Sequence, residues 1–154
     1  VTVRRNLVTA LSPQIKSLNF LNNILAKQEA SRAGAFDALM LNAEEILTEC
    51  TTSNFFFARA GRLYTPSVEC GILDGITREV VLTLAREQGI QTEEGRYPAE
   101  FLADAEEAFL TNTSMEIMPV STIDKHPIGA GRPGPLTGRL RNLFKTNLAR
   151  FLSA

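Results

Sequence analysis

The sequence predicts a mixed α/β fold, of the layered α+β kind rather than a simple βαβ alternation, and three stretches carry that prediction. "NFFFARAGRLYTP", residues 54–66, reads as two strands joined by a tight turn at Ala60-Gly61-Arg62. "GITREVVLTLAREQG", residues 75–89, places Val80, Val81, Leu84 and Ala85 on one helical stripe and stops at Gly89. "EEAFLTNTSMEIMPVSTI", residues 106–123, reads as two further strands broken at a Thr-Asn-Thr-Ser loop.

The remaining elements follow in chain order. "RRNLVTAL" (4–11) reads as a short strand ended by the turn chemistry of Ser12-Pro13. From Ser17 the period changes to helical, with Leu18, Leu21, Leu25 and Ala26 on one face, Ser17 as N-cap and Gly34 as the stop. "AFDALMLN" (35–42) is strand-like, and "PAEFLADA" (98–105) gives one or two helical turns. A Gly/Pro-rich loop, "DKHPIGAGRPGP", precedes a final helix from about Leu136 to Leu152.

With 154 residues, 44% of them hydrophobic, the chain has enough material for one core and one domain. Sixteen basic against seventeen acidic residues leave no nucleic-acid footprint, and no apolar run approaches the length that spans a bilayer. Cys50 and Cys70 are too few for a disulfide framework and no signal peptide opens the chain, so a reducing cytoplasm is expected. The chain starts at Val1 without a methionine, which reads as a domain taken from a larger protein.

Several formal motifs carry no chemistry. Gly129-Ala130-Gly131-Arg132-Pro133-Gly134 fits G-x-G-x-x-G, but Pro133 interrupts it and no acidic residue follows before the chain ends. It is read as a loop. His126 is the single histidine and has no cysteine or histidine at metal-ligand spacing. Asn112-Thr113-Ser114 fits the glycosylation pattern without a secretory context.

Three other features are of one kind. Lys16 lies ahead of the expected helix N-terminus, between Ile15 and Leu18. Alone it reads as an aliphatic stem that snorkels to water. A helix dipole and partial burial would instead disfavour the ammonium and leave a more nucleophilic amine. Glu49, in "TECTTSN", reads either as a solvated charge at a strand end or as the fixed counter-ion of a protonated heterocycle. "LDGITRE" and "LTNTSME" supply Thr77 at a helix N-terminus and Thr113 and Ser114 at a strand break. Each is separately a cap or a turn; together they suit a phosphate. Lysine, carboxylate and phosphate cradle are the groups that pyridoxal phosphate requires.

In this order, "IKSLNFLNNILAKQEA", "TECTTSN", "LDGITR" and "FLTNTSMEIMPV" resemble the class IV (fold type IV) pyridoxal-phosphate aminotransferases, from about Arg4 to the end of the chain. The part resembled is the C-terminal, cofactor-binding domain, which implies mixed sheets in a pseudo-barrel flanked by helices. The family's N-terminal domain is then absent from this chain. The resemblance implies that Lys16 forms the Schiff base with pyridoxal 5'-phosphate and shuttles the α-proton, while Glu49 pairs with the pyridine nitrogen. It also implies that Leu73 packs on the ring, and that Ile76, Thr77, Asn112 and Thr113 serve the phosphate.

Ser53 stands where the branched-chain enzymes usually carry a glutamate, and Leu21 where they tend to carry a tyrosine. The resemblance is therefore closer to the D-amino-acid branch, with the branched-chain branch next. Cys50 replaces a common glycine. The implied reaction moves an amino group between an amino acid and a 2-oxo acid in a homodimer. An aminodeoxychorismate lyase, or a domain without turnover by itself, is the alternative.

Overall fold

The computed structural model describes residues 1–7, 9 and 11–152. Helix α1 (Leu21–Arg32) is followed by strands β1 (Asn54–Arg59) and β2 (Arg62–Pro66), then helix α2 (Ile76–Glu87). Strands β3 (Thr92–Gly95), β4 (Glu107–Asn112) and β5 (Glu116–Val120) come next. The short pair β6 (Thr122–Ile123) and β7 (His126–Pro127) and helix α3 (Pro135–Leu152) complete the chain.

Five strands form one mixed sheet in the order β3-β2-β1-β4-β5. β1 pairs antiparallel with β2 and β4, β4 with β5, and β2 runs parallel to β3. The β1–β2 turn falls where the sequence places it, with Ala60 and Gly61 both at positive φ, the backbone that a two-residue hairpin demands.

The alternation of β1 splits the core in two. Phe56, with Leu63, Phe109 and Ile117, faces Val81, Leu84 and Ala85 of α2 and Leu140 and Phe144 of α3. Its ring stacks on Phe109 at 4.9 Å. Phe55 and Phe57 face the other way, into a cluster with Leu47, Tyr64, Tyr97, Ala108 and Leu110. A ribbon of residues 38–50 covers that second face, held by Met40 N–H to Glu49 O (3.1 Å) and Thr48 N–H to Met40 O (3.0 Å). The layered α/β prediction is met: α2 stands where its stripe puts it, and α3 spans the expected final helix.

Four local expectations are corrected. Helix α1 starts at Leu21 with Phe20 as its N-cap, because the Ser17 hydroxyl accepts from Asn19 N–H in a local turn instead of capping a helix. Its buried face is turned from the expected one: Leu18 is 96% exposed and Leu21 and Leu25 are exposed, while Ala26 of the expected stripe is buried together with Ala30. Asn22 and Asn23 explain the turn. Asn22 donates to Arg4 O and accepts from Asn6 N–H, and Asn23 donates to Thr51 O, so the polar edge of the helix turns inward. Small alanines beside it permit the close approach.

Residues 4–7, expected as strand, are irregular, although Arg5 N–H donates to Leu41 O; Val8 and Ala10 of that stretch lie outside the described residues. "AFDALMLN" forms only an isolated pairing, Leu41 with Leu47. "PAEFLADA" does form its expected helical turns, as a 3₁₀ segment over Ala99–Asp104. The stop at Gly34 holds: at φ 74° it lets Ala35 N–H close back onto Ala30 O.

Candidate functional site

Glu49 is the organising residue. It follows Thr48 in the ribbon over the second sheet face and is 5% exposed. Arg5 Nη2 donates to Glu49 Oε1 at 2.5 Å, and Asn54 Nδ2 donates to Oε2 at 3.0 Å. Burial pushes the Glu49 carboxyl up to about 7, opposed by Arg5, by the backbone N–H of Leu73 and by the more distant Arg78. Of the two sequence readings of this residue, the solvated charge is excluded.

Asn54 joins that carboxylate to the next loop. The same Nδ2 donates to Leu73 O at 2.7 Å, just ahead of α2. Its Oδ1 lies so close to Gly75 that a Cβ there would collide with it. Gly75 is the N-cap of α2 in extended conformation and provides no side-chain cap. The first-turn N–H groups of α2 therefore lack a capping side chain. Ile76, 74% exposed, and Thr77, 5% exposed, occupy the first two helical positions. Arg78 braces this end from beneath, donating to Asp74 Oδ1 (3.0 Å), Pro66 O (3.1 Å) and Glu94 Oε2 (2.6 Å).

The β4–β5 turn is the third segment tied to this region. Asn112 Oδ1 accepts from Ser114 N–H (3.0 Å) and Met115 N–H (2.7 Å), and its Nδ2 donates to Thr52 O (3.2 Å). The Asn112 side chain is thus committed to shaping the turn and tying it to the loop after Glu49. Thr113 is exposed at the turn's tip. Cys50, in the glycine-substituted position, is buried and its N–H closes a turn onto Ser53 O at 2.8 Å.

Glu49, Leu73, Thr77 and Asn112 are therefore linked through direct bonds or the short loops between them. Lys16 is not bonded to any of them. It is exposed, and the partial burial at a helix end argued from sequence is absent, since Ile15 and Leu18 are exposed and α1 begins five residues later. Its loop lies against the segment before α2, with Gln14 Nε2 donating to Val68 O at 3.3 Å.

Sequence reasoning missed Arg5, Asn23 and Asn54. Arg5 is 8% exposed, and its guanidinium also donates to Asn23 Oδ1 (2.7 Å) and Gly71 O (3.2 Å). Its only signal was a basic residue inside an apolar-looking stretch, where a buried arginine requires an acidic partner. No local pattern names that partner.

The description "amino-transferase class IV" is that of the family model matching residues 1–123. A D-alanine aminotransferase of Bacillus licheniformis is 41% identical over 134 residues, 87% of this chain and 47% of the relative. An aminodeoxychorismate lyase of Bacillus subtilis is 33% identical over 152 residues, 99% of this chain and 51% of the relative. The crystal structure of a branched-chain amino acid aminotransferase from Thermobaculum terrenum, in its PLP-form, superposes with a TM-score of 0.91 at 42% identity. That match covers 94% of this chain and 48% of the other. The chain spans about half the length of the curated relatives it matches.

Proposed function

The chain belongs to the class IV amino-transferase family, and on that premise we propose that it is the C-terminal, pyridoxal-5'-phosphate-binding domain of a transaminase. The reaction moves an amino group between an amino acid and a 2-oxo acid, of D-amino-acid or branched-chain type. The family's N-terminal domain completes the site in the whole protein, a homodimer of the cytoplasm. Among the described residues no helix is long and apolar enough to cross a membrane.

One observation carries the reading: a buried glutamate with an acceptor position left over. A carboxylate takes about four donors. Arg5, Asn54 and the Leu73 N–H account for three, so Glu49 retains room for a protonated ring nitrogen. The uncapped α2 N-terminus offers the matching anchor for a dianionic phosphate. The residues present fit the cofactor.

When bound, the pyridinium ring of the cofactor supplies an electron sink for the substrate carbon that loses its proton. Glu49 holds a proton on the ring nitrogen. Ile76 and Thr77 give backbone N–H groups to the phosphate, Thr77 adds its hydroxyl, and Thr113 approaches from the β4–β5 turn. Asn112 positions that turn. Leu73, half-buried beside Asn54, packs on the ring face. Lys16, exposed in the loop before α1, would hold the cofactor through its amine and would serve the substrate α-proton.

A second reading, an aminodeoxychorismate lyase, is supported by the Bacillus subtilis relative, which aligns with 99% of this chain. Both readings use the same cofactor residues and part at the reaction catalysed.

The test is to mix the protein with pyridoxal 5'-phosphate, reduce with borohydride and map the labelled peptide. The label is expected on Lys16. A label spread over other lysines, or none, overturns the assignment; amino transfer or pyruvate release by the full-length protein then separates transaminase from lyase.

A further inference from the structure

Arg5 is among the most deeply placed charges in the chain and has no role in the function described so far. Its fork spans three partners at once: Glu49 Oε1 by Nη2, Asn23 Oδ1 by Nη1 and Gly71 O by Nε. Side chains at both ends of the ion pair are 7% exposed, so water screens it little. Asn23 passes the connection on, donating to Thr51 O two residues past Glu49 at 2.5 Å. It also lies in the first turn of α1, the helix that follows the Lys16 loop.

We propose that Arg5 is a positioning residue for the cofactor: its guanidinium favours the anionic form of Glu49 and holds the carboxylate turned to one side, and through Asn23 it sets the helix after Lys16 against that carboxylate. The inference rests on the assignment of Glu49 to the pyridine nitrogen. Geometry gives the reason for an arginine here. Oε1 is taken by the fork and Oε2 by Asn54, so the carboxylate cannot rotate freely, and its remaining lone pair has a fixed direction.

A planar fork with five donors holds three acceptors on three different segments; an ammonium does not. The groups that face Glu49 are few. They are Arg5 from the N-terminal segment, Arg78 from α2, Asn54 from β1 and the N–H of Leu73 from the loop before α2. Arg78 is already committed to Asp74 and Glu94, which leaves Arg5 as the cation that offsets the desolvation of Glu49.

The test needs no cofactor in its first arm. Side-chain carboxyl carbon-13 NMR of the cofactor-free protein follows Glu49 through its titration, its signal assigned by its loss in Glu49→Gln. In Arg5→Gln the midpoint is expected to rise by about one pH unit or more, and Arg5→Lys, which keeps the charge, to recover part of that rise. An unmoved midpoint in Arg5→Gln overturns the proposal, as does an Arg5→Lys shift equal to that of Arg5→Gln, which marks a purely structural arginine. Should Arg5→Gln not fold, the comparison of Arg5→Lys with the unaltered protein stands alone: a partial rise supports the proposal, and none overturns it.

The second arm uses nitrogen-15-labelled pyridoxal 5'-phosphate on the loaded protein. Its ring nitrogen is expected to lose its proton in Glu49→Gln and to become less protonated in Arg5→Gln. A ring nitrogen that stays protonated in Glu49→Gln overturns the Glu49 assignment and the proposal with it. That failure is distinguishable, because the cofactor-free titration would still show Arg5 acting on Glu49.

Discussion

Asn112 donates to the carbonyl oxygen of Thr52, 60 residues earlier, and this 3.2 Å bond joins the β4–β5 turn to the loop that carries Glu49. The same side chain accepts the N–H groups of Ser114 and Met115. One amide therefore shapes the turn that presents Thr113 and also fixes where that turn stands.

The two jobs separate by substitution. Asn112→Asp keeps the acceptor that shapes the turn and loses the donor to Thr52; Asn112→Ala loses both. Each hydrogen bond lost is worth about 1 kcal/mol. The apparent affinity for pyridoxal 5'-phosphate, followed by fluorescence titration, is expected to fall less in the aspartate variant than in the alanine variant. Equal losses would place the whole effect in the bond to Thr52.

Gly75→Ala drives a Cβ into Asn54 Oδ1. The backbone there has φ −81°, which alanine tolerates, so the cost comes from the collision alone. Displacing Asn54 strips a donor from Glu49 and from Leu73 O. A destabilisation of about 1–3 kcal/mol is expected in urea unfolding, and truncating Asn54 to alanine in the same chain is expected to remove most of the added cost.

Glu49 makes stability depend on pH. Its folded carboxyl titrates near 7, above the 4.5 of an unperturbed glutamate. The folded state therefore binds the proton more tightly, and the stabilising contribution is full below about pH 4.5 and lost as pH rises through 7. The span corresponds to a loss on the order of 3 kcal/mol. In the cofactor-free protein, Glu49→Gln is expected to flatten the fall in denaturation midpoint between these two pH values. An unchanged slope would assign that pH dependence to other groups.

Lys16→Ala is expected to change stability by no more than about 0.5 kcal/mol, because it removes an exposed side chain that bonds to nothing among the described residues. Covalent retention of the cofactor is expected to vanish. Function and folding are thereby measured apart in one variant.

Where side chains repeat along a regular element, sequence and structure agree. The stripe of α2 and the strand–turn–strand pattern of residues 54–66 each report local geometry, and the geometry follows. Helix α1 breaks the rule because its inward face is chosen by Asn22 and Asn23 bonding to Arg4 O, Arg5 and Thr51 O, which no hydropathy pattern registers. The ribbon over 38–50 is misjudged for a related reason: its pairing is brief and depends on residues brought close by the fold. At the site, the anionic, hydroxyl and helix-end groups were legible as residue types. Arg5 and Asn54 were not, since their partners lie 44 and 19 residues away.

The phenylalanine alternation of β1 also divides the protein for an engineer. Phe56 belongs to the helix-side packing with α2 and α3, while Phe55 and Phe57 belong to the side that carries the Glu49 ribbon. Hydrophobic redesign for heat resistance can proceed on the Phe56–Phe109 side with volume held constant: the Glu49 ribbon lies behind the sheet from it, and the first turn of α2 is the part to leave untouched.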